Sequence, residues 1–241
     1  MKHAWHWAVV VLSVALGLGS GARAEESVFG LQLLGTSDES GDARARGLGV
    51  LGVGLDDTTT AVTLNPAAHG SLQYMTVSLV AVTGSRNVRS NEAEAREGFA
   101  RFPQIRAALP IFGRLVLGTG FVSFQNTRGA FRLDEREIDG LLYTQRFERD
   151  GSLYSIPAVV AAPVGRFLRL GASFDFLLGE VDEKWITEGD SILSLATHQQ
   201  DEMSGISVTL GVIVAPKPWL RLGGSWTPGF DVQVERTTSL E

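Results

Sequence analysis

Arg166-Phe167-Leu168-Arg169-Leu170-Gly171-Ala172-Ser173-Phe174-Asp175-Phe176-Leu177-Leu178 is the stretch whose reading decides the fold. Its even positions from Leu168 to Leu178 are all apolar, whereas Arg169, Ser173 and Asp175 stand among the odd ones. Successive side chains of a strand point to opposite faces, so this period of two predicts a long strand with one greasy and one polar face. Residues 204–214 repeat the pattern: Ile206, Val208, Leu210, Val212 and Val214 oppose Gly205, Ser207, Thr209 and Gly211. Residues 72–83, 102–109, 114–125, 152–163 and 219–227 also read as strands, which gives seven from Tyr74 onward, or eight if 44–54 forms another.

A repeat punctuates these strands. Leu109-Pro110-Ile111-Phe112-Gly113-Arg114-Leu115 returns as Ala162-Pro163-Val164-Gly165-Arg166-Phe167-Leu168 and again around Pro216, with the prolines at 110, 163 and 216 evenly spaced. Each copy reads as a strand end, a tight Pro/Gly turn and the next strand start. The connections at the other end, 84–98, 126–150 and 179–202, are long and charged, and read as polar loops around solvated surface such as Glu92–Glu97 and Asp134–Glu137. Short turns at one end and long loops at the other is the asymmetry of outer-membrane barrels. A soluble sandwich would alternate too, but its strands usually run ~5–6 residues.

The N-terminus points to the same compartment. Lys2, an apolar run from about Ala8 to Leu18, and Ala22-Arg23-Ala24 form the three parts of a secretory signal peptide, with cleavage expected after Ala24. The run is too short for a spanning helix. Cysteine is absent, so there is neither a disulfide framework nor an acylated thiol. Loss of Lys2 and Arg23 takes the net charge from −6 to −8, and such an acidic chain is a poor nucleic-acid binder.

Residues 25–70 do not read as membrane strands. Asp56-Asp57 precede Thr58–Leu64, read as a short helical turn with an aspartate near its N-cap and closed by Asn65-Pro66. The order Arg46, Asp56-Asp57, Asn65-Pro66-Ala67, followed by the collinear hairpins 109–121, 156–176 and 205–228, resembles the FadL/TodX-type outer-membrane transport family over roughly residues 40–236. The resemblance implies an all-β fold: an antiparallel transmembrane β-barrel with an N-terminal plug, of which this chain would hold part of fourteen strands. The expected domains are a signal peptide (1–24), a plug (25–70) and barrel strands (71–241). It further implies passive uptake of an apolar small molecule or fatty acid, with outer-membrane lipid around the barrel and the barrel-assembly machinery needed for biogenesis. The alternative carried beside it is a non-transporting barrel that docks secretion or envelope machinery.

The candidate plug and gate residues are Arg46, Asp56, Asp57, Asn65 and Pro66. The inward polar candidates are Arg106, Gln125, Arg169, Asp175 and Arg221, which either solvate a lumen, pair with the plug aspartates, or orient an acidic headgroup through bidentate arginine geometry. Enzyme chemistry is poorly provisioned, and no catalytic residue, metal site or cofactor is expected. His69 and His198 have no metal-ligand spacing, no G-x-S-x-G elbow is present, and Gly47-Leu48-Gly49-Val50-Leu51-Gly52 lacks the strand–helix context of a phosphate loop.

Overall fold

The computed structural model describes residues 36–37, 43–49, 52–55, 57–61, 64–89, 94–112, 115–138, 141–189, 195–217 and 219–240. The signal-peptide assignment and Asp56 lie outside the described residues. The elements are β1 (Thr36–Ser37), α1 (Ala43–Gly47), a 3-10 turn (Pro66–Ser71), β2 (Thr76–Arg89), β3 (Glu94–Ile111), β4 (Leu115–Asn126), β5 (Gly129–Ile138), β6 (Leu141–Val164), β7 (Leu168–Gly189), β8 (Leu195–Lys217), β9 (Leu220–Trp226) and β10 (Val232–Leu240). The described pairs from β3 onward are antiparallel, in a path β10-β8-β7-β6-β4-β3-β2, with β9 beside β8, β5 beside β6 and β1 beside β4. No described helix is long and apolar enough to cross a membrane.

The chain divides into two compact units. Among its described residues, one holds Ala81–Phe102, the outer parts of β2 and β3. The other holds the sheet from Pro103 onward together with residues 26–80. In this second unit β3 pairs with β4 only from Gln104 to Ile111. Beyond that, Thr36 and Ser37 take the β4 edge opposite Asn126 and Gln125.

β4 and β5 lie end to end along β6, the first opposite Ser152–Ala161 and the second opposite Leu141–Arg149. β9 and β10 share β8 in the same manner. Among the described residues the sheet therefore has ten strands on seven tracks; nine of them follow Tyr74 where the alternation predicts seven, β5 and β10 being the two it misses. The sheet of this unit curls. Phe124 of β4 and Phe230, beyond β9, are four tracks apart, yet their rings meet edge-on at 6.2 Å.

The face assignment holds. Leu170, Phe174, Phe176, Leu178, Ile206 and Leu210 are exposed on the outer face, and Ser173, Leu177, Ser207 and Ile213 are buried on the inner one. Register aligns the outer residues into rows, from Val164–Leu168–Val214–Leu222 near the short turns to Tyr154–Leu178–Ser204. The next row is Ser152–Glu180–Glu202–Glu235, so the apolar outer belt stops abruptly.

Three expectations need correction. Segments 84–98, 126–150 and 179–202 are not simply loops: β2 runs to Arg89 and β3 starts at Glu94, and β5, β6, β7 and β8 run through most of the other two as paired arms. Ladder hydrogen bonds use only the backbone, so strands persist where the outer face is charged and the inner face mixes charge with a few apolar side chains such as Phe147 and Val181. Residues 44–54 give α1 rather than a strand over Ala43–Gly47. Asn65-Pro66 opens a helical turn rather than closing one. The proline constraint that holds Asn65 extended, at φ −144 and ψ 112, is also what an N-cap needs, and proline is preorganised for the first helical position.

Candidate functional site

The inner face is built around that turn. Asn65 Oδ1 accepts from Ala67 N at 3.0 Å, capping the turn. Its Nδ2 donates to three backbone carbonyls: Val53 at 2.7 Å, Val212 at 3.1 Å and Gly224 at 3.2 Å. One fully buried amide thus ties Val53 and the Pro66–Ser71 turn to two paired strands. Asn65, Ala67, Ala68 and His69 are all at most 2% exposed.

The strands make room for the turn by lacking side chains under it. A Cβ on Gly171 would lie 2.4 Å from Ala67 N, and one on Gly211 would lie 2.1 Å from Asn65 Oδ1. Gly171 and Gly211 are register partners, and buried Ala161 continues the row. Gly223 leaves the same room for Gly54, whose Cα a Cβ there would approach to 2.4 Å. Burial, with the nearby charge of Arg106, pushes the His69 imidazole down to about 4, so it sits there neutral.

Next to the turn is a cavity of about 370 Å³. Arg106 and Asp175 line it with the hydroxyls of Ser155, Ser207, Thr209 and Thr227. Arg106 is 9% exposed, and its Nε has no hydrogen-bond partner among the described residues. Asp175 Oδ1 accepts from Ser173 at 2.9 Å and from Ser155 at 3.4 Å. The cavity combines one cation, one anion and several hydroxyls with apolar side chains such as Leu64, Val122, Phe124, Leu177 and Phe230. Among the described residues no cluster could hold a metal ion.

Of the inward candidates, Arg106 and Asp175 come together here. Gln125 lies instead at the end of β4 opposite Ser37, Arg169 on β7 between Pro163 and Ile213, and Arg221 on β9. Of the plug candidates, Asn65 and Pro66 form the turn. Asp57 is not matched to an inward arginine: Oδ1 accepts from Thr59 N at 2.8 Å and Thr59 Oγ1 at 2.7 Å, and Arg44 approaches at 3.6 Å. Those hydrogen bonds from Thr59 hold its carboxyl below the usual range. Arg46 belongs to α1, with its side chain outside the described residues.

The alternation did not reveal the charged inner face of the arms. There Arg149 meets Glu183 at 3.2 Å, and Arg236 grips Asp201 with two donated bonds of 2.8 Å. The odd-numbered inner positions of β7 and β8 continue through the arms, and that was the available signal.

The family model that matches the chain is BamG, over residues 1–234. No curated protein and no solved structure matches it. The family match overturns the FadL/TodX resemblance. The Asn-Pro-Ala element on which that resemblance leaned is what an N-capped turn over a glycine-lined sheet needs, so it does not discriminate between families.

Proposed function

The chain belongs to the BamG family, and from that premise we propose that it is an outer-membrane β-barrel protein that docks the barrel-assembly machinery rather than conducting solutes. The family's name supports the partner. The outer belt supports the location: Leu168–Leu178 at about 3.3 Å per residue and a tilt of ~40° is about 25 Å tall, the height of the apolar band of such barrels. Secretion by a signal peptide cut after Ala24 completes this reading.

The observation that carries docking over conduction is the locked turn. A gate must move at small cost, whereas releasing this segment would leave the Asn65 amide and its buried partners unpaired, at about 1–3 kcal/mol for each group. It would also empty the contacts over Gly171 and Gly211. The segment is built to stay.

Affinity purification of the full chain from native outer membranes tests the proposal. Barrel-assembly components should co-purify in near-stoichiometric amounts, and depletion of the chain should lower the levels of other outer-membrane barrels. Purification without them, with depletion changing only solute uptake, would overturn it.

A further inference from the structure

The short turns carry a feature that the docking proposal does not use. Phe112, Phe167 and Trp219 stand at the β3–β4, β6–β7 and β8–β9 turns and are 96%, 52% and 75% exposed. Two of the rings carry a cation: the Arg166 guanidinium lies 5.7 Å from the Phe167 centroid, and Lys217 Nζ lies 5.3 Å from that of Trp219. The repeat places an aromatic and a base at each turn.

Phe112 adds an independent sign. Two residues after its proline it adopts φ 53, and at the same offset in the next copy Gly165 adopts φ 73. Glycine takes this left-handed conformation without steric conflict, whereas phenylalanine rarely does. A ring kept in a strained backbone position, with nearly all its surface exposed, has no packing reason among the described residues.

The apolar outer belt runs directly into this rim, where Val164, Leu170 and Leu222 are exposed. Aromatic rings backed by cations, at the edge of a lipid-height belt, suit the phosphate and glycerol layer of a bilayer. There amphipathic rings settle and bases meet anionic headgroups. We infer that the short-turn rim is an anchor for anionic phospholipid headgroups, set by Phe112, Phe167 and Trp219 with Arg166 and Lys217. This rests on the outer-membrane reading and adds which end of the sheet meets anionic lipid. A partner protein on this rim is the competing occupant; the cavity of about 220 Å³ beside the turns is lined by residues such as Gly70, Leu72, Pro110 and Pro163 and takes in none of the three rings, whereas the belt is continuous with them.

The test uses the full chain folded into phosphatidylethanolamine vesicles with and without phosphatidylglycerol. Variants keep a single tryptophan, either Trp219 or Trp226, the latter in the belt row with Leu210. Trp226 should be quenched best by bromines deep in the acyl chains, and Trp219 by bromines just below the headgroups. Arg166→Glu and Lys217→Glu should each weaken association about fivefold or more, only where phosphatidylglycerol is present. Phe112→Gly relieves the backbone, so it should hold or raise stability in detergent while weakening vesicle association, a split that a merely structural role would not produce. Trp219 open to aqueous acrylamide while Trp226 is quenched by lipid would overturn the anchor and put the rim in water. Lipid quenching of neither tryptophan would overturn the membrane reading, and the anchor with it.

Discussion

β6, β7 and β8 are each continuous strands, yet their two halves live in different surroundings. In the half next to the short turns the outer face is apolar and the inner face is small and hydroxylated, with Gly171 and Gly211 cleared for the turn. In the other half both faces carry charge, with Phe147 and Val181 buried among the inner pairs. Outside, Asp150 stands opposite Asp182 and Glu180 opposite Glu202, in a groove of about 940 Å³, and inside are the Arg149–Glu183 and Asp201–Arg236 pairs. The ladder does not change at the border. Backbone pairing sets how far the strands run, and side-chain chemistry alone sets what each stretch can be immersed in.

The largest effect should come from charging the belt. Phe174→Arg should cost about 2–4 kcal/mol for a mid-belt position in lipid, read as lost folding yield in vesicles. Leu170→Arg, nearer the rim, should cost less. Gln200→Arg, on the same face of the arm and opposite Asp182, should stay within about 0.5 kcal/mol. Equal yields for Phe174→Arg and Gln200→Arg would erase the border. Ser173 and Ser207 are poor controls for this comparison: both are buried, so an arginine there meets packed atoms rather than an open lumen.

Next is the inner face of the same half. Gly211→Ala and Asn65→Ala should each lower stability by about 1–3 kcal/mol, the first by overpacking and the second by lost hydrogen bonds. Denaturant midpoints measure the loss, and protease should cut first within residues 52–71. A double variant no worse than either single one would show that both act by releasing the same turn.

Acid should separate the two halves by pH window. The His69 pKa is lowered from 6.5 to about 4. The unfolded chain therefore binds the extra proton first, and stability is complete above about 6.5 and falls towards 4, by up to about 1.4 kcal/mol per unit. Asp201 is lowered chiefly by its hydrogen bonds from Arg236. Its contribution is complete above the ordinary carboxylate range and disappears only as pH falls below it. Hydrogen exchange across the pH range should show residues 65–71 loosening before β10, and His69→Gln should flatten the earlier phase. The reverse order would contradict the burial of His69.

The smallest effect should be Asp201→Asn, which loosens β10 at the edge of the arm. Amide exchange in Val232–Leu240 should rise with the belt unchanged. A global loss would mean that the halves unfold together.

Much of this architecture was legible. The even positions of 166–178 and 204–214 named the outer face, and Pro110, Pro163 and Pro216 located the short turns. The arms do not read as strands because charged residues on both faces interrupt the apolar period on which strand recognition relies. Asn65-Pro66 stands out in the sequence, but pre-proline restriction fits a helix end as well as an N-cap, so its direction is not legible there.

The local pattern by itself determined which side chains share a face, because strand periodicity is a property of neighbouring residues. What each inner face meets was decided only by the curl of the sheet. The Asn65 amide binds carbonyls of Val212 and Gly224, 147 and 159 residues away, and Arg106 comes to share a cavity with Asp175 from three tracks off. Glycine in a strand can mark a bend, a bulge or a close approach. Only the folded turn lying across Gly171 and Gly211 shows that here it is the last.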